Sequence, residues 1–286
     1  MHIAFVIVTA AALNGDQVCT DEVLLDRPDQ RRGAWKWDVE ALQLCTTIDI
    51  AAGIGDAGVR SLARILPQCT RLRTLSLHGN SIGSSGAAAL ARLLTPVLSH
   101  QALPLQTLQK LYLDGNAIGD RGAEALGAAL QGDPAPALTV LDLDNNPISD
   151  RGVIALARAL RTNTVLQSLD LQRMGGKIYT DADTESQDGD GDEEEEVEPI
   201  GDAAAIALAD ALGNNPQSAL RILDVNGNSI GNGGARAFVR ALRHNTALVS
   251  LVLLGNDITD FEADEAIEQK LLQNQQEGVG ASADEL

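Results

Sequence analysis

The residues best equipped for chemistry in this chain are carboxylates set in a repeating frame. Asp142, Asp170 and Asp224 each stand between two large apolar residues, and Asp114 and Asp144 directly follow the second apolar residue of such a run. Carboxylates at these places can bind cations or accept hydrogen bonds, but catalysis would need companions. His2, His78, His100 and His244 are scattered, with no pair at metal-ligand spacing. Cys19, Cys45 and Cys69 contain no C-x-x-C. Ser76 and His78 share a strand face, yet two residues are not a triad and no strained turn marks a nucleophile. There is no G-x-x-x-x-G-K-[ST] to cradle nucleotide phosphates. Asp181-x-Asp183-x-Glu185 alternates like a calcium loop, but Ser186 stands where that loop needs glycine, and no helix enters it. The sequence therefore offers no catalytic group, no cofactor site and no metal site.

The elements that position the carboxylates come from internal repetition. Leu72-x-x-Leu75-x-Leu77-x-x-Asn80 returns from Leu108 to Asn116, from Leu138 to Asn146, from Leu220 to Asn228 and from Leu248 to Asn256. A further copy starts at Leu166 and carries Met174 in the asparagine place. The Leu-x-Leu alternation predicts a short strand with one face buried. The asparagine is expected to satisfy backbone groups where the strand turns away. Seven isoleucines, at 54, 82, 118, 148, 200, 230 and 258, are followed two residues on by Asp, Ser or Asn, the residue types that accept N–H groups at a helix start. Leucines eight and twelve residues past an isoleucine, such as Leu126 and Leu130 after Ile118, keep an apolar stripe on one helical face. Strand, turn, capped helix and return loop make one unit.

The pattern L-x-x-L-x-L-x-x-N-x-I-x-x-x-G-A-x-x-L-A-x-A-L resembles the ribonuclease-inhibitor-like class of leucine-rich repeats, which includes Ran GTPase-activating proteins and the repeat domains of NOD-like receptors. The resemblance covers residues 42–273 and implies an α/β solenoid, a horseshoe of about seven units with parallel strands on the concave face and helices on the convex face. Residues between the leucines then point into the hollow. They read Asp49, Ser76, Tyr112, Asp142, Asp170, Asp224 and Val252 in one column, and Ala51, His78, Asp114, Asp144, Gln172, Asn226 and Leu254 in the next. With parallel strands about 4.8 Å apart, Asp142, Asp170 and Asp224 form a ladder of like charge, extended by Asp114 and Asp144. Stability alone does not favour such a ladder, so the expected role is contact with a protein bearing a basic surface, with Tyr112 and His78 as anchors at its N-terminal edge. The plainer alternative is that these aspartates order the neighbouring backbone and bind nothing. Nucleic acid is disfavoured by the sign of the charge. A GTPase activator resembling the Ran-directed proteins is the alternative function. The repeat type and an acidic segment favour it, but none of that family's functional residues maps onto this chain.

Composition fits a stacked array. Aromatics are only 2% of the 286 residues, so the core must be Leu, Ile, Val and Ala. Residues 14–41 read as an N-terminal cap region. Trp35 and Trp37 there serve either as an aromatic, basic patch or, more plainly, as a cover for the open core. Residues 262–274 read as a polar C-terminal capping helix, with 274–286 as a tail. Residues 175–199 interrupt the array with eleven acids against Lys177 alone, more than half of the net charge of −19. This segment should be a disordered loop on the strand-to-helix rim. Residues 1–13 outline a signal-like apolar run without a basic start, and Ala283-Asp284-Glu285-Leu286 is similar to an endoplasmic reticulum retrieval tail. Against a lumenal protein stand the odd cysteine count and the absence of N-x-[ST] acceptors. The expectation is a cytoplasmic monomer with no membrane span, the reticulum lumen being the alternative.

Overall fold

The computed structural model describes residues 17–20, 25–29, 34–95, 105–177 and 196–283. The strands are β1 (Val18–Thr20), β2 (Leu25–Asp29), β3 (Ala34–Trp37), β4 (Thr47–Asp49), β5 (Thr74–Ser76), β6 (Lys110–Tyr112) and β7 (Val140–Asp142). They continue as β8 (Ser168–Asp170), β9 (Gly176–Lys177), β10 (Glu196–Val197), β11 (Ile222–Asp224) and β12 (Ser250–Val252). The helices are α1 (Val39–Leu44), α2 (Gly55–Ala63), α3 (Ser84–Leu94), α4 (Asp120–Leu130), α5 (Asp150–Leu160), α6 (Asp202–Asn214), α7 (Asn232–Leu242) and α8 (Phe261–Ala283).

Eight three-residue strands form one open sheet in the order β1-β4-β5-β6-β7-β8-β11-β12, every neighbouring pair parallel. Helices alternate with the strands, so the chain is an α/β leucine-rich repeat solenoid with its strands on the concave side. The alternation in sequence sets the layers. Ile48, Leu75, Leu111, Leu141, Leu169, Leu223 and Leu251 sit at the strand centres and are buried, while their strand neighbours face outward. Helix leucines such as Leu62, Leu126, Leu156 and Leu208 meet them from the other side. No single unit closes this core, and burial comes from stacking.

Backbone groups that leave the short strands are satisfied sideways. Asn116 Nδ2 donates to Leu77 O of the preceding unit and to Leu113 O of its own, both at 2.9 Å. Its Oδ1 accepts the N–H groups of Asn80 and Ile82 at 2.9 and 3.0 Å. Asn80, Asn146, Asn228 and Asn256 repeat the arrangement. A second row of asparagines does the same at the helix-to-strand loops, where Asn163 reaches Leu130 O, Asn215 reaches Leu160 O and Asn245 reaches Leu212 O. Cys69 occupies this place in its unit and is buried, facing its own Ile65 O. Met174, also buried, cannot donate, and there Ile148 N–H turns to Asn146 O at 2.8 Å.

Asp260 caps its own helix as the sequence predicts, accepting from Ala263 N at 3.2 Å, but in the other units the polar residue two places past the isoleucine works differently. Asp56, Asp120, Asp150 and Asp202 cap the helix of the next unit rather than their own. Asp120 Oδ1 accepts from Ser149 N at 2.8 Å and Gly152 N at 3.1 Å, and its Oδ2 accepts the Ser149 hydroxyl at 2.7 Å. Asp56 serves Gly83 and Gly86, Asp150 serves Gly201 and Ala204, and Asp202 serves Gly231 and Gly234. A glycine makes room for the carboxylate in three of the four, at Gly86, Gly152 and Gly234. A Cβ on Gly152 would lie 2.7 Å from Asp120 Oδ1, so a glycine there lets the carboxylate reach across. Ser84, with a shorter side chain, makes no such bond among the described residues.

At the N-terminal end β1 extends the sheet by one strand and a disulfide joins its Cys19 to Cys45. The odd count thus resolves into one bridge and one buried thiol, Cys69, and no longer points to a reducing compartment. Trp37 packs against the core and donates its Nε1–H to Ser61 Oγ at 3.1 Å. At the other end α8 runs to Ala283, past the boundary expected near 273. Glutamines and glutamates spaced four apart continue it, as between Gln273 and Glu277. The acidic insertion does not leave the array as a loose loop from residue 175. Gly176–Lys177 pairs antiparallel with Glu196–Val197, giving it a closed base. Gly175, at φ 96, permits this, since a Cβ there would stand 2.6 Å from Val197 O. Beyond it Ile200 is fully buried and β11 pairs directly with β8. Residues 1–13 and 178–195 lie outside the described residues.

Two outcomes follow. Asp120→Ala leaves the N–H groups of Ser149 and Gly152 without their acceptor and should lower stability by about 1–2 kcal/mol in urea titration. Alkylation of the denatured chain should mark one cysteine without reductant and all three after reduction, counted by mass.

Candidate protein-binding surface

Parallel pairing fixes the outward residues of the strands in columns. Asp49 is in register with Ser76, Ser76 with Tyr112, Tyr112 with Asp142, Asp142 with Asp170, Asp170 with Asp224 and Asp224 with Val252. The sheet thus brings Asp142, Asp170 and Asp224 side by side, with Tyr112 next in line. In the adjacent column Gly79 N–H donates to Asp114 O, Gly115 N–H to Asp144 O and Asn145 N–H to Gln172 O, which places His78, Asp114, Asp144 and Gln172 along the same face.

Each ladder aspartate is held by its own backbone. Asp142 Oδ1 accepts from Asp144 N at 3.0 Å, Asp170 Oδ1 from Gln172 N at 3.0 Å and Asp224 Oδ1 from Asn226 N at 2.9 Å. These bonds fix the rotamers. Asp170 Oδ2 also accepts Gln172 Nε2 at 3.0 Å, whereas no described residue donates to the Oδ2 of Asp142 or Asp224. Partial burial pushes the Asp142 carboxyl up from 3.8 to about 6, opposed by its backbone bond and reinforced by the charges of Asp170, Asp114 and Asp144. Asp170 and Asp224 are raised for the same first reason, loss of water around the charge.

Asp144 is not free. Arg173 grips it through Nε at 3.1 Å and through Nη2, a two-pronged ion pair with the carboxylate mostly covered. The strip is therefore less negative than its sequence suggests. Arg173 stands where other units place Gly79, Gly115, Gly227 or Gly255, with Asn145 the other exception, and it holds φ 45. That left-handed backbone is unfavourable for arginine. An arginine in a glycine slot is the signal that reveals the ion pair in the sequence.

At the N-terminal edge Ser76 Oγ lies 3.0 Å from His78 Nδ1, and Asp49 Oδ1 lies 3.6 Å from the same nitrogen. A relay from carboxylate to hydroxyl needs both ring nitrogens. Both partners compete here for one, so the three residues do not make a triad. Burial pushes the Cys69 thiol up to about 11, which keeps it protonated and inert. Among the described residues no three metal-ligating side chains gather, and no helix is long and apolar enough to cross a membrane.

The family model described as Leucine Rich repeat matches residues 68–91, 105–127, 136–157 and 218–239. These are leucine-rich repeats. The leucine-rich repeat array is similar to the solved structure titled Leiomodin-1 Actin-Binding Site 2 (ABS2), at 14% identity and a TM-score of 0.49, over 70% of this chain and 94% of that one. No curated protein sequence matches the chain.

The Asp142 shift gives a pH dependence of stability. The folded state holds the Asp142 proton more tightly than the unfolded state, so stability falls as pH rises from about 4 to about 6. A shift of that size corresponds to about 3 kcal/mol before screening, and the solvent-facing part of the carboxylate reduces it to about 1 kcal/mol. Asp142→Asn keeps the acceptor for Asp144 N–H and loses the charge. It should be more stable than the parent by about 1 kcal/mol near neutral pH, with the gain gone at pH about 4, as read from urea midpoints.

Proposed function

We propose that this chain is a non-enzymatic scaffold that holds a partner protein by a basic surface in the hollow of a ribonuclease-inhibitor-like array. The supporting observation is the in-register column of Asp142, Asp170 and Asp224. Like charges at strand spacing repel, and water has been partly withdrawn from each of them. A lysine or arginine entering the column relieves both costs. Preset rotamers, with one oxygen left open on Asp142 and Asp224, spare the partner the expense of ordering them. Tyr112 adds a half-buried ring beside the first carboxylate, and Asp114 extends the charge. Asp144 contributes through Arg173, which a competing cation must displace. The Cys19–Cys45 bridge supports an oxidising setting for this scaffold, since cytosolic thiols are kept reduced.

Charge reversal tests the reading. Asp142→Lys with Asp170→Lys should abolish capture of a basic partner while the far-ultraviolet circular dichroism stays that of the parent. Arg173→Gly should do the opposite. It removes the internal cation and relaxes the left-handed backbone, so capture strengthens several-fold and weakens with salt. Capture that survives the double reversal would move the contact off the concave face.

A further inference from the structure

The last strand leaves the array open. Ile54, Ile82, Ile118, Ile148, Ile200 and Ile230 are at most 2% exposed, whereas Ile258, their counterpart in the final unit, is only partly covered. Leu77, Leu113, Leu143, Leu171 and Val225 are fully buried, but Leu253 is not. Beside them Leu254 and Phe261 are 77% and 84% exposed. Together they border a cleft of about 440 Å³ between the β12 edge and α8.

The polar groups of this end are capped on one side only. Inside the array Val225 N–H donates to Val252 O at 3.1 Å, Gly227 N–H to Leu254 O at 2.8 Å and Ile230 N–H to Asn256 Oδ1 at 2.9 Å. Leu253, Gly255 and Ile258 carry the corresponding donors, and no described residue accepts from them. The carbonyls just ahead of β12 are taken by α8, where Gln275 Nε2 reaches Val249 O and Asn274 Nδ2 reaches Leu248 O, each at 2.8 Å. An occupant must therefore bring acceptors. Asp264 and Glu268 are exposed on the cleft wall with no basic residue lining it, so an anion is repelled and neutral carbonyls are required. The exposed Leu254 and Phe261 call for apolar side chains, and the acidic wall for lysine or arginine beside them.

We propose that this end binds an extended peptide segment, apolar at alternate positions and flanked by basic residues, as a ninth parallel strand on β12. Residues 221–230 already do this for β8, where Asp224 O, Asn226 O and Asn228 Oδ1 accept from Leu171, Arg173 and Met174. The probe is accordingly a fluorescent copy of residues 221–230 preceded by two lysines. It should bind the full chain saturably in anisotropy and slow deuterium exchange at the amides of Leu253, Gly255 and Ile258. Leu254→Ala with Phe261→Ala removes only exposed side chains and should weaken binding about tenfold. Asp142→Lys with Asp170→Lys should leave it unchanged, which separates this site from the concave one. Failure to saturate at millimolar probe overturns the proposal. So does binding lost in the concave variant but kept in the end variant. A dimer by light scattering that excludes the probe overturns it as well, by assigning the end to a second copy.

Discussion

Every unit of this solenoid depends on its neighbour to satisfy backbone groups it cannot satisfy itself. A strand of three residues leaves N–H and C=O groups on both rims, and burying them unpaired would cost more than the leucines contribute. Asparagine answers this on both rims, because one side chain carries two donors and an acceptor. Asn116 spans its own unit and the one before, and Asn215 bonds Leu160 O and Asn163 O in the same way. Aspartate serves the helix starts, where only acceptors are needed. The leucines give cohesion, and the amides and carboxylates set the pitch of the stack.

That division explains what a reading of the chain can reach. Leu-x-Leu alternation and the Ile-to-leucine spacing depend on local period, so strands, helices, core and the column of Asp142, Asp170 and Asp224 are legible. Bonds between units are not local. Asp120 looks like a cap for its own helix, and only the packing of α4 on α5 shows it serving Ser149 and Gly152. Pairing of Cys19 with Cys45 needs β1 beside β4, and three cysteines do not specify it. The engagement of Asp144 was within reach, because Arg173 occupies a slot that glycine fills in most units. The paired base of the acidic insertion was not, since two residues on each side carry no period.

The concave face and the C-terminal end draw on different physics. The hollow offers fixed charge with partial desolvation, which favours rapid, salt-sensitive encounter. The end offers directional donors and apolar surface, which favours register and shape. Carboxylates occur in both places, and both therefore reject anions.

Met174 introduces one discontinuity into this scheme. With no amide to bridge it to the unit before, the β7–β8 junction loses the sideways donor that Asn146 and Asn228 supply on either side. In a one-dimensional array the coupling between adjacent units determines how far cooperativity spreads. A junction with one bridge fewer ties the opening of the units on its two sides less closely together. The paired base of the acidic insertion, β9 with β10, lies at that same junction, so whatever engages the insertion acts where those units join.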